Sequence, residues 1–196
     1  MRIVLGIGNP GREYEGTRHN AGFLVVDALC ANRGGKFRKA GFEFEGARVR
    51  LGDSEALLVR TWTFVNCTGQ VVPELRSKFD LAEGEFLAVC DDFALPLGAL
   101  RMRPGGSSGG HNGLKSLIEA LGTEEFARLR IGIGSPRSDA VDHVLAKFAK
   151  AERDEVDRAV AEAVEAVECW ASEGIQAAMT RFNRAPKTEE PGGQGL

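Results

Sequence analysis

Gly6-Ile7-Gly8-Asn9-Pro10-Gly11, running directly out of the apolar segment Ile3-Val4-Leu5, is the stretch on which the fold reading turns. It satisfies the G-x-G-x-x-G pattern that, after a strand, marks a dinucleotide-binding turn. In such a turn the last glycine opens a helix, so that a pyrophosphate lies on the helix N-terminus. Here Pro10, Gly11 and Gly16 prolong the loop, and the next helical run begins only around Asn20. The acidic residue required about 20 positions on, at the end of a second strand, is also missing. Asp27 falls inside the helical run instead. The segment therefore reads as a strand, a long polar loop and a helix, without dinucleotide chemistry. That loop carries His19 between Asn9 and Asn20. Loops after buried strands are where α/β proteins keep their chemistry, and histidine alone is a neutral base near pH 7 without help.

Working outward, apolar runs alternate with helical patterns. Strands are predicted at Arg2–Gly6, Phe44–Leu51, Ala56–Arg60, Phe86–Cys90, Ala99–Arg103 and Arg128–Ile133, the second and third joined as a hairpin across Gly52-Asp53-Ser54. Helices are predicted from Asn20, as N-cap, to Asn32, and over Val65–Phe79, Gly113–Leu121 and Ala151–Glu173, with Gly174 as a stop. Val156, Val160, Val164 and Val167 give the last of these a helical stripe. The pattern predicts a single α/β domain over residues 1–184, with a mixed, mostly parallel sheet and helices on both faces. Residues 185–196, rich in Pro, Gly and Glu, read as a disordered tail.

Composition is that of an ordinary globular protein of 196 residues, enough for a core without staples. The four cysteines (Cys30, Cys67, Cys90, Cys169) are far apart, with no metal or redox spacing, and read as reduced thiols of a cytoplasmic protein. No signal peptide or membrane-spanning run is evident, so no membrane partner is expected. A net charge of −3 argues weakly against nucleic acid. Yet Arg101, Arg103, Lys115, Arg128, Arg130 and Arg137 crowd one segment against Glu119, Glu124 and Glu125, and recognition of phosphate depends on the local field.

Asp91 and Asp92 follow the apolar run Phe86–Cys90, at the expected carboxyl end of a strand. If that strand lies parallel to Arg2–Gly6, an aspartate there can meet the His19 imidazole in one crevice. Gly105-Gly106-Ser107-Ser108-Gly109-Gly110-His111 invites a serine nucleophile but lacks the G-x-S-x-G elbow, and reads as a loop that lets backbone approach a ligand. Asn66 and Asn112 head predicted helices, where capping is the plain explanation for each. A His–Asp pair with several amide donors and no adjacent Ser or Cys points to activation of water.

Together, Gly8-Asn9-Pro10-Gly11-x-x-Tyr14-x-x-Thr17-Arg18-His19-Asn20-x-Gly22, Thr63-Phe64-x-Asn66-x-x-Gly69, Asp91-Asp92-x-x-Leu95-Pro96-x-Gly98, Gly109-Gly110-His111-Asn112-Gly113-Leu114-Lys115 and Arg128–Gly134 resemble, in order, the bacterial peptidyl-tRNA hydrolase family. The resemblance covers about residues 1–184. It implies a monomeric, cofactor-free and metal-free enzyme that hydrolyses the ester between a nascent peptide and the 3′ end of tRNA, rescuing stalled translation. It assigns His19 as catalytic base and Asp91 as its orienting carboxylate, with Asn9, Tyr14, Asn66 and Asn112 on the substrate. Arg101, Arg103 and Arg130 fall where the family carries tRNA-phosphate contacts. Three positions depart from the usual family residues: Val65 for methionine, Cys90 for His or Tyr, and Ala94 for an acidic residue. The competing class is a non-enzymatic RNA-binding relative, as among plant organelle splicing factors, which would not release peptide from peptidyl-tRNA.

Overall fold

In the computed structural model, which describes residues 1–79, 84–136 and 139–183, the first segment forms β1 (Arg2–Gly6). Two 3-10 turns, Arg12–Tyr14 and Arg18–Asn20, then lead into α1 (Ala21–Asn32). There follow β2 (Arg38–Lys39), β3 (Phe44–Leu51), β4 (Ser54–Thr61), a 3-10 run Val65–Val71, α2 (Val72–Lys78), β5 (Phe86–Asp92) and β6 (Leu100–Arg103). The described chain ends with α3 (Asn112–Leu121), β7 (Ala127–Gly132), α4 (Ala140–Leu145), α5 (Arg153–Glu173) and α6 (Ile175–Phe182). The expected tail and Arg137 lie outside the described residues.

One seven-stranded sheet runs in the order β2-β3-β4-β1-β5-β7-β6. β4, β1, β5 and β7 are parallel; β2, β3 and β6 add antiparallel margins. The chain leaves β1 towards β4 and leaves β5 towards β7, so their carboxyl ends bound a topological switch point, where open α/β sheets form their crevices.

Strand periodicity divides the core in two. Val4, Leu58 and Leu87 face α1, α5 and α6, while Ile3, Leu5, Leu57 and Ala88 face the 3-10 run, α2 and α3. Each fully buried Leu, Ile or Val contributes roughly 1.5–3 kcal/mol. The glycines that imitated a nucleotide motif serve close packing instead. A Cβ on Gly6 would stand 2.6 Å from the Gly22 carbonyl oxygen, and one on Gly22 would stand 2.3 Å from that of Val89. α1 thereby lies directly on β1 and β5, with His19 held just before its first turn.

Several local expectations change. The predicted helix from Val65 begins as 3-10 structure, and only the turns after Val71 are α-helical, with Pro73 near their start. Asn20 stands at the N-cap position of α1, but its side chain makes no capping bond. α5 ends at Gly174 (φ 86°), after which the chain re-enters a helix, α6. Beyond α6, the Asn183 amide lies along the outer edge of β6, accepting from Met102 N–H (2.6 Å) and donating to Met102 C=O (2.9 Å).

Candidate active site

β1 and β5 are parallel neighbours in register from Ile3↔Phe86 to Gly6↔Val89, which brings the loop after β1 over the end of β5. Asp91 and Asp92 are the last two residues of β5, and the two-residue period of a strand sends them opposite ways. Asp91 is buried and meets His19: Nδ1 lies 2.8 Å from Asp91 Oδ1. Asp92 turns outward, where Oδ1 accepts from Ala94 N–H and Oδ2 from Arg130 at 3.2 Å.

A second imidazole shares the same oxygen. His111 Nε2 stands 3.0 Å from Asp91 Oδ1, and the two rings are 5.2 Å apart. His111 is the N-cap of α3, its Nδ1 accepting from Gly113 N–H (3.1 Å) and Leu114 N–H (3.3 Å). A nitrogen that accepts two backbone bonds carries no proton, so the His111 proton is on Nε2, directed at Asp91. His19 likewise donates through Nδ1, which leaves its Nε2 lone pair available as a base. Burial alone would raise the Asp91 carboxyl, but the His111 and His19 imidazoles outweigh it and hold it well below the usual carboxylate range. His19, Asp91 and His111 are also the group, among the described residues, whose ligand atoms are close enough to hold a metal ion. In the arrangement described, both imidazole protons point at the carboxylate, so a metal would have to displace two hydrogen bonds at once.

Sequence reasoning assigns His111 no role; its place in Gly110-His111-Asn112, directly ahead of a predicted helix, is the signal that points to it. His111→Ala should remove both the α3 cap, worth about 1 kcal/mol, and one donor to Asp91. Turnover should fall roughly ten- to hundred-fold, as for loss of one charge-assisted hydrogen bond. His111→Asn keeps a cap-forming side chain, so thermal melting should recover towards the parent value while turnover stays low. Recovery of both together would mean that His111 acts only through the helix.

The asparagines separate into holders and donors. Asn20 binds the Asn9 backbone on both sides, accepting from its N–H (2.8 Å) and donating to its carbonyl (3.0 Å). Asn9 Oδ1 accepts from Val65 N–H (3.0 Å), which fixes the amide rotamer and leaves the NH2 group without a partner among the described residues. Asn66 and Asn112 are not caps. Phe64 stands at the N-cap position of the 3-10 run and His111 caps α3, so both exposed amides are left for another partner. Tyr14 packs edge-on against the half-exposed Phe64 at 6.0 Å between ring centres. Arg18 pins the loop from behind. It is buried against the Phe148 ring and donates to Ile133 C=O and to both Glu152 oxygens, the nearer at 2.7 Å.

His19, Asp91, His111 and Asn112 line a cleft of about 250 Å³, together with Phe93 and, from α4, Val141. Asp92, Gly109 and Arg130 form a shared border with a second depression, of about 380 Å³, lined by Arg101, Arg103 and Arg128. Register explains this basic surface: on one face of the β6–β7 pair, Arg101 lies opposite Arg130 and Arg103 opposite Arg128. The four are not equivalent. Arg128 is buried and donates to the carbonyls of Gly106, Ser107, Glu124 and Phe126. Arg130 donates to Asp92 and to the carbonyls of Ser107 and Ser108. Arg101 and Arg103 are exposed and make no ion pair among the described residues.

A family model described as peptidyl-tRNA hydrolase matches residues 3–190. The chain belongs to the peptidyl-tRNA hydrolase family. The peptidyl-tRNA hydrolase of Desulforamulus reducens is 43% identical over 184 residues, covering 94% of this chain and 89% of the relative. That of Rhodopirellula baltica is 40% identical, covering 96% of this chain and all of its own. The crystal structure of peptidyl-tRNA hydrolase from Acinetobacter baumannii superposes with a TM-score of 0.87 at 33% identity, covering 93% of this chain and 94% of that one. Agreement in both sequence and fold, over nearly the whole chain, makes this a peptidyl-tRNA hydrolase family member throughout its single α/β domain.

Proposed function

We propose that the protein hydrolyses the ester of peptidyl-tRNA with water activated by His19, releasing free tRNA and peptide and so rescuing stalled translation. Membership of the family supports the reaction. The observation that carries the mechanism is the His19 Nδ1–Asp91 Oδ1 bond of 2.8 Å, which leaves Nε2 as the basic nitrogen at the cleft. Nε2 takes a proton from water as the oxygen attacks the ester carbonyl; Asp91 stabilises the imidazolium that forms. In this reading the amides of Asn9, Asn66 and Asn112 are donors for the tetrahedral oxyanion and the peptide carbonyls, and Tyr14, packed on Phe64 rather than in the His19 cleft, is a further substrate contact. His19 then returns the proton to the departing 3′ oxygen. The ribose leaving group is better than an amine, so the scheme requires neither a covalent intermediate nor a cofactor.

The cleft beside His19 suits the terminal nucleoside, and the arginine depression suits phosphates further along the acceptor strand. Arg101 and Arg103 are the principal phosphate ligands in this reading. Arg130 contributes charge to the groove but also holds the loop that carries His111. No helix among the described residues is long and apolar enough to cross a membrane. In the same reading the enzyme acts in the cytoplasm as a single copy.

The direct test is release of peptide from a model peptidyl-tRNA by the purified protein; binding without release would favour a non-enzymatic RNA-binding role. For the groove, Arg101→Gln and Arg103→Gln should each raise KM with little change in kcat, because phosphate contacts are alike in ground and transition states. Each should reduce the salt slope of tRNA binding by up to about one unit. A short ester substrate lacking most of the tRNA should be insensitive to either change. Arg130→Gln should lower kcat as well, through the Ser107–Gly109 loop.

A further inference from the structure

Among the described residues His19 makes one side-chain hydrogen bond, so its place depends on the residues beside it. On one side, Asn20 ties the loop to the Asn9 backbone. On the other stands Arg18, a buried cation that takes no part in the chemistry assigned to His19. Its connections return to the catalytic pair by two routes.

The first runs through the sheet. Arg18 Nη1 donates to Ile133 C=O (3.1 Å), and Ile133 N–H donates to Asp92 C=O (3.1 Å). The residue just beyond β7 thus links the guanidinium to the strand end that carries Asp91. Base and carboxylate are joined twice, by their own bond and by this path through Arg18 and Ile133. The second route is main chain. Arg18 N–H donates to Ala146 C=O (2.9 Å), Thr17 bridges Lys147, and Phe148 N–H reaches Gly16 C=O (3.4 Å). This short ribbon fastens the His19 loop to the segment after α4, whose Val141 and Val144 form one wall of the cleft.

Glu152, just before α5, closes the clamp. Both its oxygens accept from Arg18 Nη2, at 3.0 and 2.7 Å, and Oε2 also accepts from Ala149 N–H (2.7 Å). Burial alone would raise the Glu152 carboxyl, but Arg18 and the Ala149 N–H outweigh it and hold it below the usual range. The Phe148 ring lies 4.9 Å from the guanidinium, and Arg18 Nε is buried with no partner among the described residues. A buried pair with an unpaired N–H is a poor source of stability, since apolar replacements of like volume often serve as well. What a planar guanidinium supplies, and an apolar group cannot, is several donors at fixed angles. Here they are aimed at Ile133 and Glu152 at once.

We propose that Arg18 is the positioning residue of the catalytic pair. With Glu152 it fixes the His19 loop against the ends of β5 and β7 and against the α4 wall, and so sets where Nε2 points. Arg18 itself meets no substrate; it acts through His19, so the inference rests on the reading of His19 as the base.

The test uses Arg18→Lys and Glu152→Gln. Lysine keeps the charge but presents a single ammonium, which cannot span Ile133 and Glu152 with the same geometry. Its kcat on a model peptidyl-tRNA should fall about ten- to hundred-fold, the scale set by misplacement of about 1 Å. Glu152→Gln changes a partly exposed side chain, leaves the fold in place and loosens the clamp from its far end. Its kcat should fall about three- to ten-fold, as for one weakened hydrogen bond. In both, KM should stay within about two-fold of the parent, since no substrate contact is lost. Proton NMR of protein labelled with 15N-histidine gives a readout without substrate. The low-field Nδ1 proton of His19, assigned by its absence in His19→Ala, should shift or broaden in both variants. Parent-like kcat in either folded variant would overturn the positioning role, as would a loss of kcat with that proton unchanged. Near-parent turnover of His19→Ala would instead withdraw the base reading beneath it.

Discussion

Replacing His19 with alanine is expected to lower kcat by roughly 10²–10⁴-fold, the usual effect of losing a general base. The fold should survive. The imidazole contributes little packing at the end of a 3-10 turn, and Asp91 keeps its second partner, His111, so no carboxylate is left buried alone. Circular dichroism and thermal melting close to those of the parent, with turnover nearly gone, would be the supporting pair of results. Near-normal turnover would remove His19 from the base role.

Asp91→Asn should cost turnover on a similar scale, approaching ~10⁴-fold where such a substitution forces the wrong tautomer. One carboxylate oxygen accepts from both imidazoles, so an amide oxygen at that point can keep the bonds but not the charge that stabilises imidazolium. An amide nitrogen there would confront both N–H groups. Asp92→Asn loses only an outward contact with Arg130 and the turn at Ala94, and should matter far less. If the two variants behaved in reverse, the assignment of the orienting carboxylate would be wrong. The depressed pKa also fixes a sign. The stability that Asp91 contributes is complete above the free-aspartate value of about 3.9 and is lost only as pH falls through its lower folded value. Mild acid should therefore not unfold the protein through this carboxyl, which thermal melting between neutral and mildly acidic pH would check.

Strands with several apolar residues and clear turns were readable from sequence almost to the residue: Arg2–Gly6 and Phe44–Leu51 coincide with β1 and β3. The two-residue β2 offers too little sequence for any period to appear, and the six-residue α4 is too short to carry a strong stripe. Gly174 was a sound helix stop, yet a stop says nothing about whether another helix begins next. The proximity of His19 and Asp91 followed from the expectation of parallel neighbours. Local signals were least informative where a side chain reaches across the chain. Asn20 looks like a cap but holds Asn9 in place, and Asn112 looks like a cap while His111 performs that task. Arg130 looks like a free cation, but its guanidinium is already engaged by Asp92 and two carbonyls. Each of these depends on a partner many residues away, which no short window contains.

The Asn183 amide that lies along β6 bears on how the molecule tolerates crowding. The outer strand of an open sheet presents unpaired N–H and C=O groups, a template on which a foreign strand can grow. At Met102 both groups are already taken, by a side chain that imitates one rung of an additional strand. Arg101 and Arg103 on either side add charge that a like strand would have to bury against its own arginines. At the opposite margin, β2 brings two basic residues and covers only Glu45 and Gly46 of β3. The β6 end of the sheet is thus a poor seed for aggregation, its one open rung closed from within the same chain.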